Sequence, residues 1–329
     1  MRPKRIRQLL LEWYARGHRD LPWRKSRDPY AIWVSEIMLQ QTRAQAVIPY
    51  YHRFLSLFPT VEALARASEQ DVLAAWSGLG YYSRARNLRR AAQRICEAGS
   101  FPRDYDSLRG LPGVGDYSAA AIASIAFAQP HVVVDGNVLR VVARVEADAA
   151  DISSARTRER FRSVAQSWLD PGNAGRFNQA LMELGATVCL PQKPLCLLCP
   201  LSAVCQARSL GTVEQLPVKL KKTTAVKLDG TLLVVRRQGR VLLRLRESDA
   251  RRMAGFWELP SPEHLPSARL KEEIGDFRHT ITHHHYTFKV VMASVSRPRG
   301  AFEWFEPVHM VNIPLSTTAR KALELAKII

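Results

Sequence analysis

LPGVGDYSAAAIASIAF, Leu111 to Phe127, decides how the first part of the chain is read. Leu-Pro-Gly-x-Gly stands before a run of small residues with helical composition. Two glycines allow a tight turn and a close backbone approach. The helix that follows begins with free N–H groups pointing outward, which suits a phosphate. Its Ala and Ser content lets another helix pack closely. As a bare pattern, the stretch would serve an ordinary interhelix turn equally well. Charge tips the balance. The 329 residues hold 48 Lys and Arg against 30 Asp and Glu, a formal charge of +18. A polyanionic partner is expected, nucleic acid before an acidic membrane surface, and the turn then reads as a sequence-blind grip on DNA backbone.

Outward from this turn, the pattern from Arg7 to about Arg208 is almost entirely helical, with Pro and Gly punctuation at Pro22, Pro29, Pro59, Gly78, Gly99, Pro112 and Pro171. The exception is HVVVDGN, a short apolar run that could be extended. GTVEQLPVKLKKTTAVK lacks aromatics and reads as a linker. Beyond it, TLLVVRRQGRVLLRLR predicts two strands around a turn at Gln238-Gly239, and HYTFKVVMASV and AFEWFEPV continue that texture. The expectation is a multidomain chain: an all-α domain over 1–208, a linker over 209–227 and a small α+β domain over 228–329. Nothing approaches a membrane-spanning run. The basic start MRPKRIRQLLLEWYARG has too short an apolar stretch for a signal peptide, so the cytosol is the expected location.

Four of the five cysteines, Cys189, Cys196, Cys199 and Cys205, form a C-x6-C-x2-C-x5-C run. In a chain without a secretion signal, such a cluster points to a thiolate-bound metal centre rather than disulfides. Zinc and a [4Fe-4S] cluster both accept four Cys ligands; a single C-x2-C leans the spacing toward iron–sulfur. Cys96 reads as a small apolar helix residue.

WVSEIMLQQT, Trp33 to Thr42, has helical periodicity, yet Glu36 shares a face with Ile32, Trp33 and Leu39. A carboxylate among such neighbours is costly unless paired or protonated. Asp135 sits differently, in N-cap position before NVLRVVARV, where the helix dipole favours an anion. Taken singly, Asp135 is a mere cap and Glu36 the partner of some arginine.

Together these features resemble the helix–hairpin–helix DNA glycosylases of the endonuclease III superfamily. LPGVG is similar to that family's hairpin, spanning about 107–127, VVVDGNV to its catalytic Asp segment, and the cysteine spacing of 189–205 to its iron–sulfur loop. SEIMLQQT, GLGYYSRARN and FNQALMELGA resemble the adenine-specific branch. The resemblance implies a base-excision repair enzyme with a [4Fe-4S] cofactor. It would hydrolyse the bond between sugar and adenine opposite 8-oxoguanine, and more weakly opposite guanine. Its partner would be double-stranded DNA, met by a monomer in the bacterial cytosol, associated with the nucleoid through DNA. Glu36 would protonate the base and help activate water, Asp135 would stabilise the cationic sugar, and Tyr117 and Asn137 would line the pocket. Lyase-active relatives carry a nucleophilic Lys where Tyr117 stands, and tyrosine cannot form a Schiff base, so hydrolysis without strand cleavage is expected. By the same resemblance Gln40, Gln41, Tyr81, Tyr82, Arg84, Arg86, Leu111, Gly113, Val114 and Gly115 would meet DNA, Gln41 and Tyr81 entering the base stack.

GRVLLRLRESDARRMAGFWELP resembles a Nudix-like domain that senses oxidised guanine. LKEEIG keeps Glu272 and Glu273, but Ala268 and Arg269 stand where the Arg-Glu pair of a Nudix hydrolase should be, so no nucleotide hydrolysis is expected. In FRHTITHHHY, Thr282 and His283 are the expected contacts to 8-oxoguanine, and Ile281 replaces a stacking aromatic. Competing readings are a bifunctional glycosylase/lyase, a catalytically silent mismatch-binding protein and a nucleotide pyrophosphatase.

Overall fold

The computed structural model describes residues 2–220, 224–247, 253–281 and 283–329. Helices come first: α1 (Arg2–Arg16), α2 (Pro29–Leu39), α3 (Ala44–Leu57), α4 (Val61–Arg66), α5 (Glu69–Trp76), α6 (Ser83–Glu97), α7 (Tyr105–Arg109), α8 (Asp116–Phe127), α9 (Gly136–Val145), α10 (Ala155–Trp168), α11 (Ala174–Thr187) and α12 (Gln206–Ser209). Strands β1 (Val226–Arg237), β2 (Arg240–Leu245), β3 (Trp257–Glu258), β4 (Arg269–Ile281), β5 (His284–Ser294) and β6 (Phe302–Phe305) follow, then α13 (Thr317–Leu325). By contact the chain divides into two compact units. One is Met1–Tyr51, Thr60–Glu62 and Arg90–Lys222; the other is His52–Pro59, Ala63–Arg89 and Thr223–Ile329. The helical stretch 1–208 therefore lends two of its segments to the unit that holds the sheet.

In the first unit, side-chain caps fix where helices begin. Asp28 accepts from the amides of Tyr30 and Ala31 at the start of α2, with Pro29 preset for the first turn. Asp104 caps α7 and Asp135 caps α9 in the same way. The core gathers apolar faces of α1, α8, α9, α10 and α11, with Ile6, Leu10, Phe161, Trp168 and Phe177 among its buried members. Small residues set how closely helices approach. A Cβ on Gly175 of α11 would lie 2.7 Å from the Ser124 carbonyl oxygen of α8, and one on Gly185 would lie 2.6 Å from Asn137 Cβ of α9. Hydrogen alone fits at both crossings.

The HVVVD part of HVVVDGN, His131 to Asp135, lies outside any helix or strand, so its amides need partners elsewhere, while Gly136 and Asn137 open α9. Val132 N–H donates to Gln166 Oε1 (3.0 Å) and Val133 N–H to Asn178 Oδ1 (3.1 Å). Asn178, fully buried, also donates to the His131 carbonyl and Ser124 Oγ. The segment expected as a linker is held along its first half: Ile152 N–H bonds the Val218 carbonyl, and Leu220 N–H bonds Asp151.

In the second unit the sheet runs β3-β2-β1-β5-β4, with β6 also on β2. The strand pair around Gln238-Gly239 is β1–β2, antiparallel as its two-residue turn requires. β1 runs parallel to β5, a pairing that local sequence does not announce. Alternation along β1 and β5 sends Leu232, Val234 and Val290 to one core beneath α13, and Leu233, Val235 and Val291 to the other.

Candidate active site and nucleic-acid interface

The hairpin is built as its glycines suggest. α7 ends at Gly110, the chain turns with Val114 N–H bonded to the Leu111 carbonyl, and Gly113 takes φ +78°. Gly113 and Gly115 are exposed, Leu111 is half-buried and Val114 is buried beneath. Gly115 occupies the N-cap of α8, and its Cβ position faces open space. Asp116, in the first turn, pairs with Arg109 at 2.6 Å.

The next residue, Tyr117, is presented by α8 to the carboxyls. Glu36, mid-way along α2, is 4% exposed, and its Oε2 has no partner among the described residues. Burial pushes its carboxyl up to about 7; a hydrogen bond from Tyr117 pulls it down, Asp135 raises it, and Arg24 lowers it. The Tyr117 phenol is held well above its ordinary value by burial, Glu36 and Asp135, and its oxygen lies 3.1 Å from Met182 Sδ. Asp135 accepts from Val138 N–H (2.7 Å) and Asn137 Nδ2 (3.0 Å). Burial moves it above the ordinary aspartate range, while these bonds and Arg140 pull it back. Of the two carboxyls, Glu36 has fewer hydrogen-bond donors to hold its charged form.

Several members of this constellation escaped the sequence reading. Arg140 donates to Asn137 Oδ1, the Gly185 carbonyl and the Cys189 carbonyl, each at 2.8 Å. Glu183, 2% exposed, receives Arg19 and Arg24 at 2.7 Å each. Burial would raise its carboxyl, but the two guanidinium groups outweigh that and bring it down to about 2. Glu183 carried the same signal as Glu36, an acid inside a small-residue and apolar helix.

Among the expected DNA contacts, Gln41 is exposed and Tyr81 is 43% exposed, and both are non-glycine residues with positive φ, +58° and +49°. Such strain gathers at functional positions. Gln40 closes α2 and bonds Ser118 Oγ at 3.1 Å. Three others face inward. Tyr82 is buried against Phe256. Arg84, 7% exposed, donates to the Leu79 and Gly80 carbonyls. Arg86 pairs with Glu69 and donates to the Ala254 carbonyl.

The four cysteines line one pocket with Val141, Arg144, Leu184, Val188 and Leu195. Among the described residues no three Cys, His, Asp or Glu side chains converge closely enough for one ion. Burial, with the neighbouring cysteines, pushes the Cys199 thiol up to about 12, so a thiolate at that position needs a positive centre beside it. Four thiol side chains around one pocket are a donor set that zinc and an iron–sulfur cluster both accept. Arg144, 1% exposed, ties the loop: it donates to the carbonyls of Leu190, Pro191, Val213 and Leu216 and lies 3.4 Å from Cys189 Sγ.

On the sheet, His283 sits at the tip between β4 and β5, its carbonyl accepting from Val226 N–H and its ring 4.1 Å from that of His284. Thr282 lies outside the described residues. LKEEIG falls on β4, with Glu273 turned to Lys289 at 3.6 Å. No described helix is long and apolar enough to cross a membrane.

Residues 34–167 match the HhH-GPD superfamily of base excision DNA repair proteins, and residues 230–325 match the NUDIX domain. An adenine DNA glycosylase of Mus musculus is 36% identical over 400 aligned positions, covering 97% of this chain and 77% of that protein. The adenine DNA glycosylase of Homo sapiens is 50% identical over 222 residues, covering 64% of this chain. The match spans 41% of the human protein, and 44% of the one from Rattus norvegicus. A thermostable thymine-DNA glycosylase superposes with TM-score 0.59 at 28% identity, over 64% of this chain and 97% of that one. An endonuclease III–DNA complex gives 0.53 at 22%, a likeness of fold.

Proposed function

The chain belongs to the adenine DNA glycosylases, and from that premise we propose that it hydrolyses the N-glycosidic bond of adenine opposite 8-oxoguanine, and more weakly opposite guanine, without cutting the strand. One observation carries this reading: a buried mid-helix carboxyl, Glu36, bonded to Tyr117 and pushed up to about 7 by its burial. Adenine leaves poorly as an anion. Glu36 gives its proton to a ring nitrogen of the base, the C–N bond breaks, and its electron pair goes to the departing base. The sugar becomes oxocarbenium-like, opposite the Asp135 carboxylate. Water adds to the anomeric carbon and returns a proton to Glu36. Tyr117 offers no amine, so no Schiff base forms with the opened sugar.

Hairpin amides around Gly113 and Gly115 hold a phosphate, while Gln41 and Tyr81 enter the stack when the nucleotide rotates out. Thr282 and His283 read the oxidised base across from it. Cys189, Cys196, Cys199 and Cys205 would hold a [4Fe-4S] cluster, whose part when bound is to brace the 189–205 loop. The protein acts as a monomer on duplex DNA.

Single-turnover incubation with duplexes holding adenine opposite 8-oxoguanine, guanine or thymine, with and without alkali, tests the reading. Breaks appearing only after alkali, fastest opposite 8-oxoguanine, are expected. Breaks without alkali would move the chain to the lyase class; none at all in cluster-loaded protein would leave a mismatch-binding protein.

A further inference from the structure

We propose that Phe256, on the turn Met253–Phe256, is a positioning residue for the Tyr81 loop, so that the sheet-bearing unit sets the side chain that enters the base stack. This rests on the reading of Tyr81 given above.

The loop needs an external brace. Gly78, Gly80 and Tyr81 have φ of +106°, +74° and +49°, and for tyrosine such a conformation persists only where surroundings over-determine it. Side chains do the fastening. Trp76 Nε1 donates to the Gly80 carbonyl at 3.3 Å, and Arg84 donates to the Leu79 and Gly80 carbonyls at 3.3 and 3.0 Å. The Arg84 guanidinium also lies over the rings of Trp76 and Tyr81, at 5.4 and 5.5 Å. Gly78 N–H donates to the Tyr82 hydroxyl at 3.3 Å.

That last bond depends on where the Tyr82 ring stands, and Phe256 fixes it. The two ring centroids are 4.0 Å apart, tilted by 43°, and Phe256 is fully buried. The turn itself is clamped from the helical side: Arg86 donates to the Ala254 carbonyl, and Gln70 Nε2 to the Gly255 carbonyl at 3.4 Å. Tyr82 and Arg86, two of the three residues expected to touch DNA beside Tyr81, thus fasten this turn to the loop. Simple core filling would explain the burial of Phe256. It leaves unexplained why the ring under Phe256, one residue beyond the exposed Tyr81, carries the hydroxyl that holds the Gly78 amide.

The test uses full-length, cluster-loaded protein and three variants, Phe256→Ala, the conservative Phe256→Tyr, and Tyr82→Phe, which keeps the ring and removes only the hydroxyl. Amide exchange at residues 78–82 is read without DNA, and unstacking of 2-aminopurine placed at the adenine position is read in a mismatched duplex. In Phe256→Ala, exchange at 78–82 should quicken about tenfold with α2 unchanged, and unstacking should fall about tenfold. Phe256→Tyr should restore both, and Tyr82→Phe should reproduce part of the loss. Combined with Tyr81→Ala, the Phe256 effect on unstacking should vanish, as expected of residues acting through one another. Unchanged exchange in both Phe256→Ala and Tyr82→Phe would overturn the proposal. Faster exchange with normal unstacking would also overturn it. Normal unstacking in Tyr81→Ala would instead remove Tyr81 from the stack, a failure of the underlying reading that exchange data distinguish from failure of the brace.

Discussion

Replacing Glu36 by Gln should stabilise the protein at neutral pH while stopping base release. The carboxyl titrates at about 7 in the fold against an ordinary 4.5. A raised acid costs stability wherever the unfolded chain gives up its proton first, so the cost begins near pH 4.5, grows to about pH 7 and is flat above. At 1.36 kcal/mol per unit, keeping Glu36 in its site costs about 3 kcal/mol at pH 7. Gln carries no proton and escapes that cost. Its amide nitrogen falls where Oε2 now lacks a partner, a pH-independent penalty of about 1 kcal/mol. The informative quantity is therefore the slope. Urea unfolding of both proteins, followed by tryptophan fluorescence to which the fully buried Trp33 on the same helix contributes, should give a stability difference that rises in favour of Glu36→Gln between pH 5 and 7 and is level at 8. A difference constant from pH 5 to 8 would mean that Glu36 does not titrate in this window, and the acid role would fall with it.

The single-turnover excision rate should be level below about pH 7 and drop tenfold per unit above it, since the proton must be on Glu36; a rate flat from pH 6 to 9 would contradict this. Arg24 holds the Glu36 carboxyl down, so Arg24→Leu should move that limb to higher pH, and an unmoved limb would show that its charge does not reach the acid. Gly185→Ala would drive a Cβ to 2.6 Å from Asn137; a loss of about 1–3 kcal/mol in unfolding experiments and slower excision are expected. Arg144→Met strips donors from four loop carbonyls, that of Leu216 buried, and should cost about 3 kcal/mol and speed bleaching of the proposed cluster's absorbance by a chelator.

What the sequence disclosed was local. The hairpin glycines, the cap Asp135, the four-cysteine loop and the turn at Gln238-Gly239 each carry their signal within a few residues. The misplaced carboxyl Glu36 was legible because helical periodicity sets its neighbours at three and four positions. What stayed hidden depends on distance along the chain. Arg19 and Glu183 are separated by 164 positions, and Arg86 and Ala254 by 168. No period or cap reports such pairs. The arginines of SRARN illustrate the consequence. A basic run beside an aromatic wedge reads as a phosphate grip, yet Arg84 and Arg86 are engaged by carbonyls of the loop and of the turn.

The division of labour between the two carboxyls follows from where each stands on its helix. Asp135 is an N-cap, where backbone amides have no intrahelical partners, and it takes one of them from Val138. An anion there is held by donors the fold must satisfy in any case. Glu36 stands in the interior of α2, where every neighbouring amide is already bonded within the helix. Only side chains can reach it, and Tyr117 is the donor they supply, with Arg24 acting through its charge. Exchanging the two residue types, Asp at 36 and Glu at 135, would therefore not exchange their protonation. The mid-helix acid would still hold its proton to higher pH than the capping acid, because helical position, and not side-chain length, decides how many donors each carboxyl meets.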